Sequence, residues 1–213
     1  MNIEILAYIP ELITVSLIAV FMAISPGADF LMVTRNSIFH GRQSGLYSSL
    51  GISLAIWVHV AYSIAGLALI ISNSIFLFSL IKYLGAAYLI YIGWKTFNSP
   101  VEAVLEADAR ELSLSNYSSF RIGFITNVLN PKTTIFFLSI FTQVVEVGTP
   151  LIIQIVYGAI ISLAHLLWFS SVSLFLSQPA LLRKFHIYKK SIEKTLGCIL
   201  MGFGLKVAFS SNN

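Results

Sequence analysis

Two charged residues interrupt long apolar runs of this sequence: Asp29, in "SPGAD" at 25–29, and Lys132, in "NVLNPK" at 127–132. A carboxylate and an ammonium group held in one interior can do either of two things. They can neutralise each other as a structural salt bridge, or they can meet a zwitterion, Asp29 taking its ammonium and Lys132 its carboxylate. Asn127 and Asn130 stand near Lys132 in the sequence and are expected to supply neutral hydrogen bonds beside the charges. His59 and His165 add two imidazoles, a group that titrates near neutral pH and can carry protons. The alternative for both histidines is a hydrogen-bonded packing role.

Each charge lies just after a proline, Asp29 three positions past Pro26 and Lys132 one past Pro131. A proline removes a backbone donor and crowds the carbonyl four residues back, so Pro26 and Pro131 are predicted to bend or break the helices that contain them. Gly27 loosens the first break further. In hydrocarbon such breaks persist only when buried in protein or lining a wet cavity. The half-helix that starts after each one offers free N–H groups and a partial positive charge, suited to a carboxylate. A plain proline kink remains the alternative.

The setting is a bilayer. Charged residues make up 10% of the 213, AVILMFWYC residues 57%, and the mean hydropathy is +0.85; a soluble domain carries roughly 25% charged residues. A charge at mid-membrane costs roughly 2.5–3.5 kcal/mol on insertion scales, so Asp29 and Lys132 are expected to face the bundle interior. Glu4 and Glu11 precede the first basic residue, Arg35, so the N-terminus lacks the basic start of a cleaved signal and is expected to stay as the first span. The single cysteine, Cys198, excludes a dithiol pair and a cysteine-built metal site, and reads as a packing residue.

Six apolar runs approach the roughly 20 residues that a crossing needs. The fold class expected is all-α integral membrane, with six transmembrane helices as two inverted-topology three-helix repeats. Residues 1–97 form the first repeat, with spans at about 12–34, 45–71 and 74–95; 98–119 form a polar cytoplasmic linker; 120–213 form the second repeat, with spans at about 120–145, 150–177 and 191–209. Ten of the 13 basic residues fall in the connections after the first, third and fifth spans. The positive-inside rule then puts those loops in the cytoplasm and both termini on the outer side. The cluster "RKFHIYKK" at 183–190 reads as a topology anchor and not as a nucleic-acid site. Lys82 is expected to snorkel outward, and Tyr91 and Trp94 to sit in an interfacial belt.

The repeat is read from spacing. Pro26 and Pro131 are 105 positions apart, His59 and His165 106, Tyr62 and Trp168 106, and "LG" at 84–85 recurs at 196–197. Three spans is an odd number, so the second half enters the membrane from the opposite side. Secondary transporters with that plan bind substrate near the repeat interface, at interrupted helices.

The stretches "SPGADFLMVTRNSIFHGRQSGLYSSLGIS" (25–53), "KYLGAAYLIYIGWKTF" (82–97) and "GFITNVLNPKTTIFFLSIFTQ" (123–143) resemble the LysE/RhtB family of amino-acid exporters. Ala28 stands where the second proline of that family's S-P-G-P element usually sits, which predicts a softer break in the first span. The resemblance implies a bacterial inner-membrane exporter of amino acids or close derivatives, driven by proton antiport. Small neutral or hydroxylated substrates such as threonine or homoserine are favoured, because one buried carboxylate is too few for a dibasic substrate. Partners implied are the amino acid, protons and the lipid bilayer, with no nucleic acid and no cofactor; a homodimer is a further expectation. Substrate would meet Asp29, Lys132, Asn127 and Asn130 at the breaks made by Pro26, Gly27 and Pro131, with Asp29, His59 and His165 as the proton-coupling candidates.

Rival classes are poorly served. An intramembrane enzyme would need a catalytic set such as HExxH or an Asp/Asp dyad. Both HExxH and a second aspartate inside a span are absent; a Ser/His pair stays open, since serines are plentiful in the spans. A cation or metal-ion efflux permease of related fold is the alternative, but it needs several carboxylates, histidines or thiols around one point. Asp29 with two histidines is the most this chain offers, and Lys132 beside them repels a cation.

Overall fold

A computed structural model describes residues 8–73, 114–145 and 148–176 continuously, backbone alone over 67–73, with scattered helical residues between 80 and 98 and between 187 and 209. Every described element is helical. In chain order these are α1 (Ile9–Ile24), α2 (Ala28–Phe39), α3 (Gly41–Asn73), α4 (Asn116–Val128), α5 (Pro131–Val144) and α6 (Leu151–Ser171), which ends in a π-helical turn, Val172–Leu176. Most of the third and sixth spans, Lys82, the linker from 99 to 113 and the basic cluster up to 186 lie outside the described residues.

α3 and α6 each carry a stretch long and apolar enough to cross a bilayer, Gly41–Gly66 and Leu151–Phe175. Counted as one span, α1 and α2 make a third, bent by 54° at Ser25–Gly27. The break there is complete and not softened. Pro26 has no N–H to give the Met22 carbonyl, and Gly27 runs extended before α2 begins. The fourth predicted span is likewise divided, at Leu129 and Asn130. It begins four residues before the expected 120, because the Ser115 hydroxyl caps α4 by accepting the Ser118 N–H at 3.1 Å.

The surface inverts the pattern of a soluble protein. Ile13 and Leu17 on α1, Leu54 and Val58 on α3, and Leu163 and Leu167 on α6 are exposed, four residues apart on each helix. The polar side chains turn inward instead. His59, Ser48, Ser49, Ser119, Asn127 and Ser139 are fully buried. Such a distribution suits a hydrocarbon exterior, where apolar side chains gain nothing by burial and helices associate through small residues and hydrogen bonds.

Two apolar clusters hold the described helices together. The larger joins α1 (Val15, Met22), α3 (Ile56), α5 (Phe136, Phe141) and α6 (Tyr157). The smaller joins α2 (Phe30, Val33) to α3 (Ile52) and the end of α6 (Phe169). Between α3 and α4 the packing is closer still. A Cβ on Gly123 would overlap the Ser48 carbonyl, and one on Gly51 would overlap the Phe120 carbonyl, so the two backbones touch. Hydroxyls fill the seam, Ser44 to Ser119 at 2.7 Å and Ser48 to the Ser119 carbonyl at 3.1 Å.

Candidate functional site

The two helix breaks face each other, and the site lies between them. Asp29 sits in the first turn of α2 and Lys132 in the first turn of α5. Both line one pocket with Ser25, Gly27, Asn130, Thr133 and His165, walled by Met22, Phe30 and Phe169. The cavity measures about 10 Å³, close to the roughly 10–15 Å³ that a single water requires on the same measure.

The two charges do not bond to each other. Lys132 Nζ donates to the Ser25 hydroxyl at 2.7 Å and to the Ser25 carbonyl at 3.0 Å. Its ammonium thereby meets the negative end of α1, where a cation is stabilised by the helix dipole. Gly27 leaves room for this reach; a Cβ there would lie 3.6 Å from Nζ. Asp29 takes the complementary place at the positive end of α2, the favoured position for a carboxylate. The direct salt bridge is replaced by two charge–helix-end contacts, because the break exposes unpaired carbonyls on one side and unpaired N–H groups on the other.

The asparagines fix the carboxylate. Asn127 Nδ2 donates to Asp29 Oδ2 at 2.9 Å, and Asn130 Nδ2 donates to the same oxygen at 3.1 Å. Asn130 also caps α5, its Oδ1 accepting the Lys132 N–H at 3.0 Å. With both ends of its amide committed, Asn130 ties the start of α5 to Asp29. Two acceptors then remain buried without a hydrogen bond, Asp29 Oδ1 and Asn127 Oδ1. A buried acceptor without a donor costs about 1–3 kcal/mol, so the site is chemically set to receive a donor.

The structure brings Asp29, Asn127, Asn130, Lys132, His59 and His165 to this region, in differing roles. His165 lines the pocket, its Nδ1 on the Ile161 carbonyl at 2.8 Å. His59 is wholly buried beside Asn127 and does not line the pocket. Sequence reasoning missed Ser25 as the acceptor for Lys132, and missed Thr133, Phe30 and Phe169. Ser25 had a signal: it precedes Asn130 by 105 positions, the offset of the two prolines. Among the described residues no three His, Cys, Asp or Glu side chains gather as they would around a metal ion.

Residues 20–211 match the family model described as LysE type translocator. The membrane protein YrhP of Bacillus subtilis is 33% identical over 217 residues, 97% of this chain and 99% of its own. The membrane protein YahN of Escherichia coli is 30% identical over 87% of this chain and 83% of its own. The threonine efflux protein of Escherichia coli is 30% identical over 202 residues, 93% of this chain and 97% of its own. No solved structure matches the chain. The match runs through both helix breaks and the pocket between them: this chain belongs to the LysE type translocator family and is a membrane transporter, not an enzyme.

Proposed function

We propose that this protein exports small neutral or hydroxylated amino acids, or close derivatives, from the bacterial cytoplasm by proton antiport. The observation that carries the reading is the crossed pair of contacts at the breaks. The residue before each proline holds the charged residue after the other: Ser25 holds Lys132, and Asn130 holds Asp29. That reciprocity is what two inverted three-span repeats facing across a pseudo-two-fold axis would produce. It supports two inverted repeats and hence six spans, and the positive-inside rule puts the basic loops inside and both termini outside.

The substrate enters between the breaks. Its ammonium takes Asp29 Oδ1, and its carboxylate takes Lys132 and the uncapped N–H groups at the start of α2. One buried carboxylate suits one ammonium group, and the relative that bears the name threonine efflux protein supports a small hydroxylated side chain. The cavity is far smaller than an amino acid, so binding requires the halves to rock apart about it. Asp29, His59 and His165 are the titratable groups available for the proton. We assign the release step to Asp29: protonation from the outer side removes the charge that holds the ammonium. Cation efflux is not favoured, since Lys132 shares the pocket.

Counterflow in proteoliposomes with a panel of labelled amino acids tests the reading. Uptake confined to small neutral or hydroxylated amino acids, and altered by an imposed pH gradient, is the expected outcome. Preference for lysine or arginine, or flux of metal ions alone, would overturn it.

A further inference from the structure

The two repeat-related histidines do not have the same task. In an unbroken helix the N–H of residue 131 would bond the carbonyl of residue 127, and Pro131 has no N–H to give. The Asn127 carbonyl is thus left without its ordinary donor deep in the bundle. Two groups reach it in place of the missing one, the Asn130 N–H at 3.0 Å and His59 Nε2 at 3.1 Å. A carbonyl only accepts, so Nε2 carries the hydrogen. In the neutral ring Nδ1 is then an acceptor, and the Tyr62 hydroxyl stands 2.6 Å from it.

His59 also grips the other side of the break. Its ring stacks on Phe137 of α5, with centroids 5.3 Å apart and planes at 19°. One side chain therefore touches the last turn of α4 through a hydrogen bond and the second turn of α5 through its face. Asn127 and Asn130, whose amides hold Asp29, project from the backbone between those two contacts. His165 is built differently. Its Nδ1 bonds a carbonyl of its own helix, which leaves Nε2 as the lone-pair nitrogen of a residue that lines the pocket.

We propose that His59 is a positioning residue: its Nε2–H takes the place of the donor that Pro131 lacks, and it thereby aims the Asn127 and Asn130 amides at Asp29, while His165 is the histidine that faces the ligand. This removes His59 from the proton-carrying groups. It rests on the proposed function only where transport is the readout.

The test combines spectra, stability and transport on the full-length protein. Protein labelled with ¹⁵N-histidine is compared with the His59→Gln variant to assign the His59 ring. The expected spectrum is the Nε2–H tautomer for His59 and the Nδ1–H tautomer for His165. His59→Leu, which keeps bulk without a donor, is expected to unfold at a lower temperature and to raise the KM for counterflow about tenfold with little change in maximal rate. His59→Gln, whose amide nitrogen reaches the place of Nε2, is expected to restore both and to keep the wild-type pH profile. An Nδ1–H tautomer at His59, a Leu variant indistinguishable from wild type, or a Gln variant that loses its pH dependence would each overturn the assignment. If no amino acid is transported, the tautomer and the unfolding temperatures still decide it, and only the proposed function falls.

Discussion

Asp29 Oδ1 is a buried acceptor with no hydrogen bond, on a carboxylate whose other oxygen accepts two amides. Replacing it by asparagine keeps the shape and removes the charge that an ammonium would seek. A hydrogen bond to a charged group contributes about 1.5–3 kcal/mol, so Asp29→Asn is expected to raise the KM by roughly 10- to 100-fold. Proton-driven stimulation should vanish with it, as read from counterflow with and without a pH gradient; an unchanged KM and pH dependence would remove Asp29 from the mechanism. The sequence made this residue conspicuous because a carboxylate in an apolar run has few innocent explanations. It also made Lys132, Asn127 and Asn130 legible. What it did not reveal was the choice each charge made. Lys132 prefers Ser25 to Asp29 because the broken end of α1 presents a carbonyl and a hydroxyl together. That preference depends on how two breaks 105 residues apart are juxtaposed, which spacing alone does not specify.

Over the continuously described residues, helix existence was readable from apolar runs, and the breaks from their prolines. The ends were less so, since hydrophobicity does not mark caps. α1 starts at Ile9 and α2 runs to Phe39, past the 12–34 expected, and α3 begins at Gly41 instead of 45. Nor did periodicity reveal that α3 and α4 meet backbone to backbone, because glycines in a membrane helix are common whether or not they pack. The glycines now sort by what a methyl group would meet. On Gly123 it would strike the Ser48 carbonyl, part of a helix backbone; on Gly158 it would crowd the methyl groups of Val60 at 2.7 and 3.0 Å, a stiff side chain but one that yields more than backbone; on Gly66 it would meet nothing within 4 Å. Overpacking against atoms that cannot yield costs about 1–3 kcal/mol. Gly123→Ala should therefore lower the unfolding temperature in detergent clearly, Gly158→Ala less, and Gly66→Ala hardly at all. Equal effects across the three would mean that the α3–α4 seam is looser than its contacts imply.

For the whole molecule, orientation rests on where the basic residues lie, and it can be read directly. In a Cys198→Ser background, Gly148→Cys should react with a membrane-impermeant maleimide in intact cells, and Gly41→Cys only after the cells are opened. The reverse pattern would turn the molecule over. The side that the proposed orientation puts in the cytoplasm carries a contact between the two proposed halves. Ser37 on α2 donates to Ser173 in the π-helical turn after α6 at 3.1 Å, and Ser173 donates to the Arg42 carbonyl at 2.8 Å. A Cβ on Gly45 would fall on both hydroxyls, so three chain segments converge at one point. π-helical turns concentrate at functional positions because their extra residue is accommodated by a small shift. In the proposed orientation an exporter opens this seam to admit substrate from the cytoplasm, and the 10 Å³ cavity shows how fully the described helices are closed. Ser37→Cys with Ser173→Cys, in the same cysteine-free background, is expected to form a disulfide on mild oxidation and to stop counterflow. Reduction should restore it. Full transport by the oxidised, demonstrably cross-linked protein would place the opening elsewhere, and the rocking of the halves about the two helix breaks would have to be abandoned with it.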